Sequence, residues 1–461
     1  MATLVKDKPR TGCINPIFNC QPCGAQFAAI GIRDTIALVH GGQGCCTFVR
    51  LMFAQHFKEN FDIASSSLHE DAAVFGGTKR VIDGVKNLVL RYPDLKLIPI
   101  ITTCSTETIG DDIEACIVEL DAWLKENHPS RGIRVIPIHT PSYKGSQAMG
   151  YNAAMEQIVR ALAKRGEPSK KVNVFTGWVN PGDVTELKHL FSEMGIPANI
   201  LMDTETFASG IMPDKSSFAY GDTTVSDLAN TANAFASVAP CAYEGGLAAK
   251  YLESEFRVPS MVGVTPIGIE NTDKFLRQLS DLTGRRIPRS LVEERARAID
   301  SIVDLGHMFL AGKRVAIYGD PDLVIGLADY CIELGMEPVL LLMGDDLKGY
   351  KKDTRIAELG KKAVGFEMEV ILNADLWELE RRLRDGMKLD LILGHSKGRF
   401  IAIDYQVPMV RVGFPVFDRA GMWKNPIFGY HGAEWLAEAI ANEFFAHMEF
   451  KKDREWILNV W

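Results

Sequence analysis

Leu97-Ile-Pro-Ile-Ile-Thr-Thr-Cys104 is a short, β-branched apolar block that ends in a turn and a cysteine. Two further stretches repeat the plan: Thr35-Ile-Ala-Leu-Val-His-Gly-Gly-Gln-Gly-Cys45 closes on a cysteine and Val135-Ile-Pro-Ile-His-Thr-Pro-Ser142 on a serine. Blocks that are apolar throughout, rather than alternating, are the pattern of strands buried on both faces of a parallel sheet. In an open parallel α/β sheet, ligands gather beyond the carboxyl ends of the strands, so three loops far apart in sequence converge on one point. Cys20, in Asn19-Cys-Gln-Pro22, is a fourth group, delivered by the segment that leads into the first of these strands. Thiolates are soft ligands suited to iron–sulfur clusters, copper(I) or zinc, and the arrangement reads as an iron–sulfur site.

Outward from this stretch, strand-like runs alternate with amphipathic helical runs almost to the end of the chain, the signature of parallel-sheet α/β architecture. The 461 residues, 47% of them hydrophobic, are enough for about three domains without disulfides. The expected fold is α/β with three domains, each a mostly parallel sheet flanked by helices. Residues 1–168 form the first and carry the cysteine loops; it ends near the polar linker Arg165-Gly-Glu-Pro-Ser-Lys-Lys171. Residues 169–311 form the second, with strand-like Val172-Asn-Val-Phe-Thr-Gly177, Ala198-Asn-Ile-Leu-Met202 and Ser260-Met-Val-Gly-Val264. Residues 312–461 form the third, from Arg314-Val-Ala-Ile-Tyr-Gly-Asp320 through Pro338–Met343, Val370–Leu372, Leu389–Gly394 and Met409–Pro415 to a C-terminal helical segment.

A formal charge of −8 and a pI near 5.8 argue against a nucleic-acid partner, because phosphate recognition wants a basic face. No apolar run approaches the roughly 20 residues that span a bilayer, and Met1–Pro9 lacks the apolar core of a signal peptide, so a cytoplasmic protein is expected. Nine cysteines in a reducing compartment are core thiols or ligands rather than disulfides.

Cys116 shares one helical stripe with Ile113, Ile117, Leu120 and Leu124 and reads as a core thiol, as do Cys331 and Cys241. Cys20-Gln-Pro-Cys23 and the doublet Cys45-Cys46 admit a zinc site or a redox pair. Zinc would want a second Cys-x-x-Cys or a spaced histidine pair, and a thioredoxin-type motif should follow a strand and open a helix, whereas Pro22 reads as part of an irregular lead-in. From the pattern alone a cluster, zinc and a purely structural role all stay open. Neither a P-loop nor a dinucleotide glycine motif is present, so bound ATP is not indicated. The turn Gly394-His-Ser-Lys-Gly-Arg399 reads as a strand-to-helix connection in preference to an anion site. Asp300 and Asp304, one turn apart beside His307, read as a solvated acidic face.

Taken in order, Ile14-Asn-Pro-Ile-Phe-Asn-Cys-Gln-Pro22, Val39-His-Gly-Gly-Gln-Gly-Cys45, Asp71-Ala-Ala-Val-Phe-Gly-Gly77, Thr102-Thr-Cys-Ser-Thr-Glu-Thr-Ile-Gly-Asp-Asp112 and His139-Thr-Pro-Ser142 resemble the nitrogenase β subunit. The resemblance continues through Gly177–Asp183, Tyr318–Asp322 and Arg411–Arg419 and covers nearly the whole chain. It implies the catalytic dinitrogenase component, an α2β2 core whose β chains have three α/β domains. The short segment before Cys20 favours an alternative nitrogenase, the iron-only type ahead of the vanadium type on that segment and on Pro321–Leu327; the closing Glu455–Trp461 is similar to both.

The resemblance further implies an [8Fe–7S] P-cluster shared with the α subunit. Its ligands here would be Cys20, Cys45 at the bridging position and Cys104, with Ser142 adding an alkoxide when the cluster is oxidised. Three thiolates are too few to close a cluster on one chain, which agrees with completion by a partner. Cys23 and Cys46 depart from the usual family pattern. The cluster would relay electrons from the ATP-hydrolysing iron protein, docking near Phe75, to a cofactor on the α subunit that reduces N2 to ammonia with release of H2, so no substrate-reducing residue is expected on this chain. A small δ subunit and a second β subunit are also implied, with a divalent cation held between the β chains by Asp300, Asp304 and Glu59 of the opposite chain. The family has Arg at the position of Lys58, where the backbone carbonyl is the ligand. A cofactor-assembly scaffold and a dark-operative protochlorophyllide reductase subunit share the fold; Thr-Pro-Ser142 and the Asp300/Asp304 pair argue for nitrogenase.

Overall fold

The structure, a computed structural model, describes residues 2–5, 13–59, 61–206, 221–345 and 354–450, so Glu455–Trp461 lies outside the described residues. The chain gathers into two compact units, one of residues 19–264 with 278–285 and the other of residues 1–18, 265–277 and 286–461.

The unit that begins at Asn19 contains two four-stranded sheets. The first is built from β2 (Leu38–His40), β3 (Ala64–Ser65), β4 (Leu97–Thr102) and β5 (Arg134–Ile138) in the order β3-β2-β4-β5. Every pairing is parallel, and the register sets His40 beside Thr102. All six residues of β4 are buried, as an uninterrupted apolar run requires. Seven helices flank or cap this sheet: α1 (Gln21–Ile30), α2 (Gln43–Phe57), α3 (Glu70–Phe75), α4 (Thr78–Arg91), α5 (Cys104–Ile109), α6 (Ile113–Asn127) and α7 (Gln147–Leu162). Val81, Val85, Leu88 and Val89 of α4 and Ile113, Cys116, Leu120 and Leu124 of α6 close one face over Leu38, Ile98 and Ile100. Cys116 is thus the core thiol that its stripe predicted.

The second sheet joins β6 (Val172–Phe175), β7 (Ala198–Leu201), β8 (Ala236–Ala239) and β9 (Ser260–Val262) in the order β7-β6-β8-β9, again all parallel. Among the described residues, β8 is the interior strand that the sequence reading passed over. Ala236-Ser-Val-Ala239 is fully buried but has one β-branched residue, too weak a β signal to stand out.

The other unit holds a six-stranded parallel sheet of β1 (Ala2–Val5), β10 (Arg314–Gly319), β11 (Glu337–Met343), β12 (Met368–Ile371), β13 (Leu391–Gly394) and β14 (Met409–Arg411), ordered β1-β12-β11-β10-β13-β14. The N-terminal strand therefore pairs with β12, more than 360 residues away. The turn after β13 makes a 3-10 turn, Ser396–Gly398, and runs straight into Arg399–Asp404. Within it Ser396 Oγ accepts from Phe417 N at 3.0 Å and Gly398 N donates to Tyr318 Oη at 3.1 Å. It is a strand-to-helix connection. Among the described residues the last helix is Gly429–Phe450. Among the described residues no helix is long and apolar enough to cross a membrane.

Candidate metal centre

Beyond the carboxyl ends of β2, β4 and β5, each predicted ligand stands at the start of a helical turn. Cys20 is the N-cap of α1, Cys45 lies in the first turn of α2, Cys104 is the first residue of α5, and Ser142 opens the 3-10 turn Ser142–Lys144. The orphan N–H groups and dipole of a helix N-terminus favour negative charge, so the fold supplies three such ends to thiolates or to an anionic cluster. Gly41 lets the chain leaving β2 pass close to α5; a Cβ there would lie 2.5 Å from Thr103 Oγ1.

The thiols are near enough to sense one another. Burial pushes the Cys45 thiol up from its ordinary value, and the neighbouring Cys104 and Cys20 thiolates push it further. All nine cysteines are thiols rather than disulfides. Cys20, Cys45 and Cys104 are three soft donors on neighbouring loops, and their chemistry fits an iron–sulfur cluster. Cys104 is exposed, and Cys20, Cys45 and Ser142 are half-buried. On the same face of α2 the apolar Phe48 and Leu51 are exposed. A thiol set open at the surface beside exposed apolar side chains has the form of half a site.

One expectation about the neighbouring cysteines is corrected. Pro22 is not in an irregular lead-in: Gln21–Ile30 is a helix with proline in its first turn, where no N–H is needed. The Cys20-x-x-Cys23 pair therefore does open a helix, but it follows no strand of a sheet, and Cys23 is completely buried within α1. Cys46 is buried too, its Sγ 3.4 Å from the Ile63 carbonyl, and burial pushes its thiol up to about 11. Cys23 and Cys46 are core thiols, while Cys20 and Cys45 stand at the site. Cys241 and Cys331 are likewise buried.

What fixes α1 is a glycine crossing. A Cβ on Gly24 would lie 1.8 Å from Gln147 O, and one on Gly150 2.1 Å from Gln21 O. The backbones of α1 and α7 touch, and every residue of α1 is buried. Asn19 N donates to Gln147 Oε1 at 2.5 Å, and Gln147 N to Asn19 O at 3.0 Å. Cys20 is thereby held on the sheet side of the site.

Sequence reasoning did not single out the residue that ties the other two loops. The His40 carbonyl accepts from Thr103 Oγ1 at 2.9 Å and Thr106 Oγ1 at 3.1 Å, which anchors the capping box of α5 and hence Cys104. Its ring is wholly buried; Nε2 donates to Asp111 Oδ2 at 2.9 Å, and Nδ1 lies 2.9 Å from Ser66 Oγ. Burial keeps this imidazole below its ordinary pKa despite the carboxylate. The signal was available in the quoted motif Val39-His-Gly-Gly, where a histidine ends a buried strand.

The remaining predicted residues fall as follows. Phe75 ends α3, a helix with no buried residue, and is 87% exposed. Asp300 and Asp304 lie on an exposed face of the helix Arg289–Leu305, in the second unit, with His307 one turn on. Glu59 is exposed just after α2, where Lys58 takes a left-handed φ of 60°.

A family profile described as nitrogenase component 1 type oxidoreductase matches residues 20–445. The chain is 63% identical to a nitrogenase vanadium-iron protein β chain of Trichormus variabilis and 56% identical to a nitrogenase iron-iron protein β chain of Rhodobacter capsulatus, over the full length of both partners in each case. Among solved structures, "Nitrogenase Cp1 at pH 6.5" superposes with a TM-score of 0.89 at 35% identity, covering 96% of this chain and 95% of that one. The two alternative types are ordered by identity the other way round from the ordering drawn from the short lead-in.

Proposed function

The chain belongs to the nitrogenase component 1 family of oxidoreductases, and from that premise we propose how its residues divide the work of a dinitrogenase β subunit. The protein is one subunit of an enzyme complex with an α subunit and an iron protein, and its part is electron relay. We assign Cys20, Cys45 and Cys104 as thiolate ligands of an [8Fe–7S] cluster shared with the α subunit, and Ser142 as the hydroxyl that joins when the cluster is oxidised. When bound, the cluster passes electrons from the ATP-dependent iron protein to the substrate-reducing cofactor on the α subunit, where N2 becomes ammonia and H2 is released.

The observation that supports this reading is the placing of three cysteines at three helix starts beyond one parallel sheet, near enough for Cys104 and Cys20 to act on Cys45. The chain's own contribution is to hold those thiols fixed before the partner arrives. Buried Cys23 and Cys46 pack in the core, and burial pushes the Cys46 thiol up to about 11. The exposed Cys104 and half-buried Cys20 and Cys45 are left accessible to the α subunit. A cofactor-assembly scaffold and a dark protochlorophyllide reductase are not favoured, since the full-length relatives are nitrogenase chains. The higher identity to the vanadium-iron chain makes vanadium the heterometal we propose for the α subunit's cofactor. A δ subunit, a second β subunit with a bridging cation, and a cytoplasmic location complete the proposal.

The test is metal analysis of the purified complex and its variants. Cys45→Ala should lose cluster iron and substrate reduction, because no other side chain matches a bridging thiolate in softness; Cys20→Ala and Cys104→Ala should follow. Ser142→Ala should keep its iron and alter only the oxidised cluster, and Cys46→Ala should also keep it. A Cys45→Ala complex with normal iron and H2 evolution would falsify the assignment.

A further inference from the structure

The six residues of α5 are fixed at both ends by one histidine. At the N-terminal end, the His40 carbonyl holds Thr103 and Thr106. At the other, Gly110 takes a left-handed φ of 82°, and Asp111, whose N–H donates to Thr106 O at 3.3 Å, turns its carboxylate to the His40 ring. The second carboxylate oxygen accepts from Gly77 N at 2.8 Å. Gly76-Gly77 is the chain that leaves the exposed tip of α3. One carboxylate therefore joins α3, α5 and the end of β2.

There is no slack in the joint. Gly76 has φ 99°, and a Cβ on Gly77 would meet His40 Cε1 at 2.6 Å and Asp111 Oδ2 at 2.7 Å. On the far side of the ring, Ser66 Oγ accepts from Gly41 N at 3.2 Å, and Gly41 O accepts from Leu68 N at 2.9 Å, so the glycine loop running to Cys45 is held by the same cluster. His40, Ser66, Thr103, Thr106 and the Asp111 carboxylate are buried, and close-packed interiors transmit displacement instead of absorbing it.

We propose that His40 and Asp111 are positioning residues that make the exposed tip of α3 and the Cys45 and Cys104 loops move as one unit, so that a partner pressing on Val74 and Phe75 shifts both thiols together. The inference rests on the assignment of Cys45 and Cys104 as cluster ligands. Neither residue touches the cluster; each acts through a thiol-bearing loop. The link is one of hydrogen-bond geometry, since an amide at position 111 still accepts from Gly77 N and still reaches the ring in its other tautomer.

The experiment compares Asp111→Ala and Asp111→Asn in the assembled complex with its iron protein absent. Hydrogen exchange is followed over residues 72–77 and 103–110, beside iron content and the spectrum of the oxidised cluster. In Asp111→Ala both segments should exchange roughly tenfold faster, the equivalent of one buried hydrogen bond, and the spectrum should shift at unchanged iron content. Asp111→Asn should restore both. Acceleration confined to residues 72–77 with an unshifted spectrum overturns the proposal, as does an Asn variant no better than Ala. If Asp111→Ala does not assemble, His40→Gln is read in the same way, because it keeps the carbonyl that holds Thr103 and Thr106 and loses the ring that spans Ser66 and Asp111. Failure of the ligand assignment itself shows separately, as iron retained by Cys45→Ala.

Discussion

Phe75 ends a helix from which no side chain reaches a core, and with Val74 it presents an apolar tip to solvent. Nothing in its local sequence distinguished a buried staple from an exposed anchor, because both put a large ring beside glycines. The fold separates them: Gly77 fills the space against His40, and the ring is left outside. Exposed aromatics at the centre of transient interfaces carry much of the binding energy. Phe75→Ala should therefore weaken the apparent affinity for the iron protein roughly tenfold, measured by titrating H2 evolution with iron protein, while cluster iron stays as in the unaltered complex. Loss of iron or of folding in this variant would mean that the ring has a structural duty.

At the scale of elements, the site depends on how closely two helices approach. Gly24 and Gly150 bring α1 and α7 to backbone contact, and α1 carries Cys20 at its first turn. A methyl group at residue 150 must push Gln21 aside, and overpacking of this kind costs about 3 kcal/mol or more when backbone atoms are the obstacle. Gly150→Ala should lower the midpoint of thermal unfolding and also the iron content, since Cys20 moves with Gln21. A variant as stable as the parent and fully loaded would show that α1 is free to slide. The strands β4, β5, β10, β11 and β13 were legible because each is an unbroken apolar run between turn signals. β8 was not, because its small residues owe their burial to neighbouring strands and not to their own propensity.

At the scale of the molecule, Asp300 and Asp304 remain an acidic pair on an exposed helix face of one unit, and Glu59 an exposed carboxylate of the other. Hard oxygen donors of this kind suit a divalent cation, and the proposed site would be complete if a second chain brought the third carboxylate. Such a cation would stabilise the assembled form by mass action. Chelator treatment or Asp304→Ala should shift the complex towards αβ halves in analytical ultracentrifugation, with the cluster spectrum unchanged. An assembly indifferent to both returns the pair to a solvated acidic face.

The sequence by itself determined the parallel α/β class, the strand-end position of Cys45, Cys104 and Ser142, and the buried place of Cys116, because each follows from local periodicity or from a turn signal within a few residues. It also carried the family, through short motifs in a fixed order. By spacing alone it did not determine which member of each cysteine pair faces the site; the family motifs favoured Cys20 and Cys45. That choice depends on the rotation of α1 and α2 about their axes, set by the glycine contact with α7 and by the Ile63 carbonyl below Cys46. Nor did it show that β1 belongs to the sheet of β10 to β14, or that His40 ties Asp111, Thr103 and Thr106. These pairings join residues up to several hundred positions apart, and only the tertiary fold brings their hydrogen-bonding groups within reach.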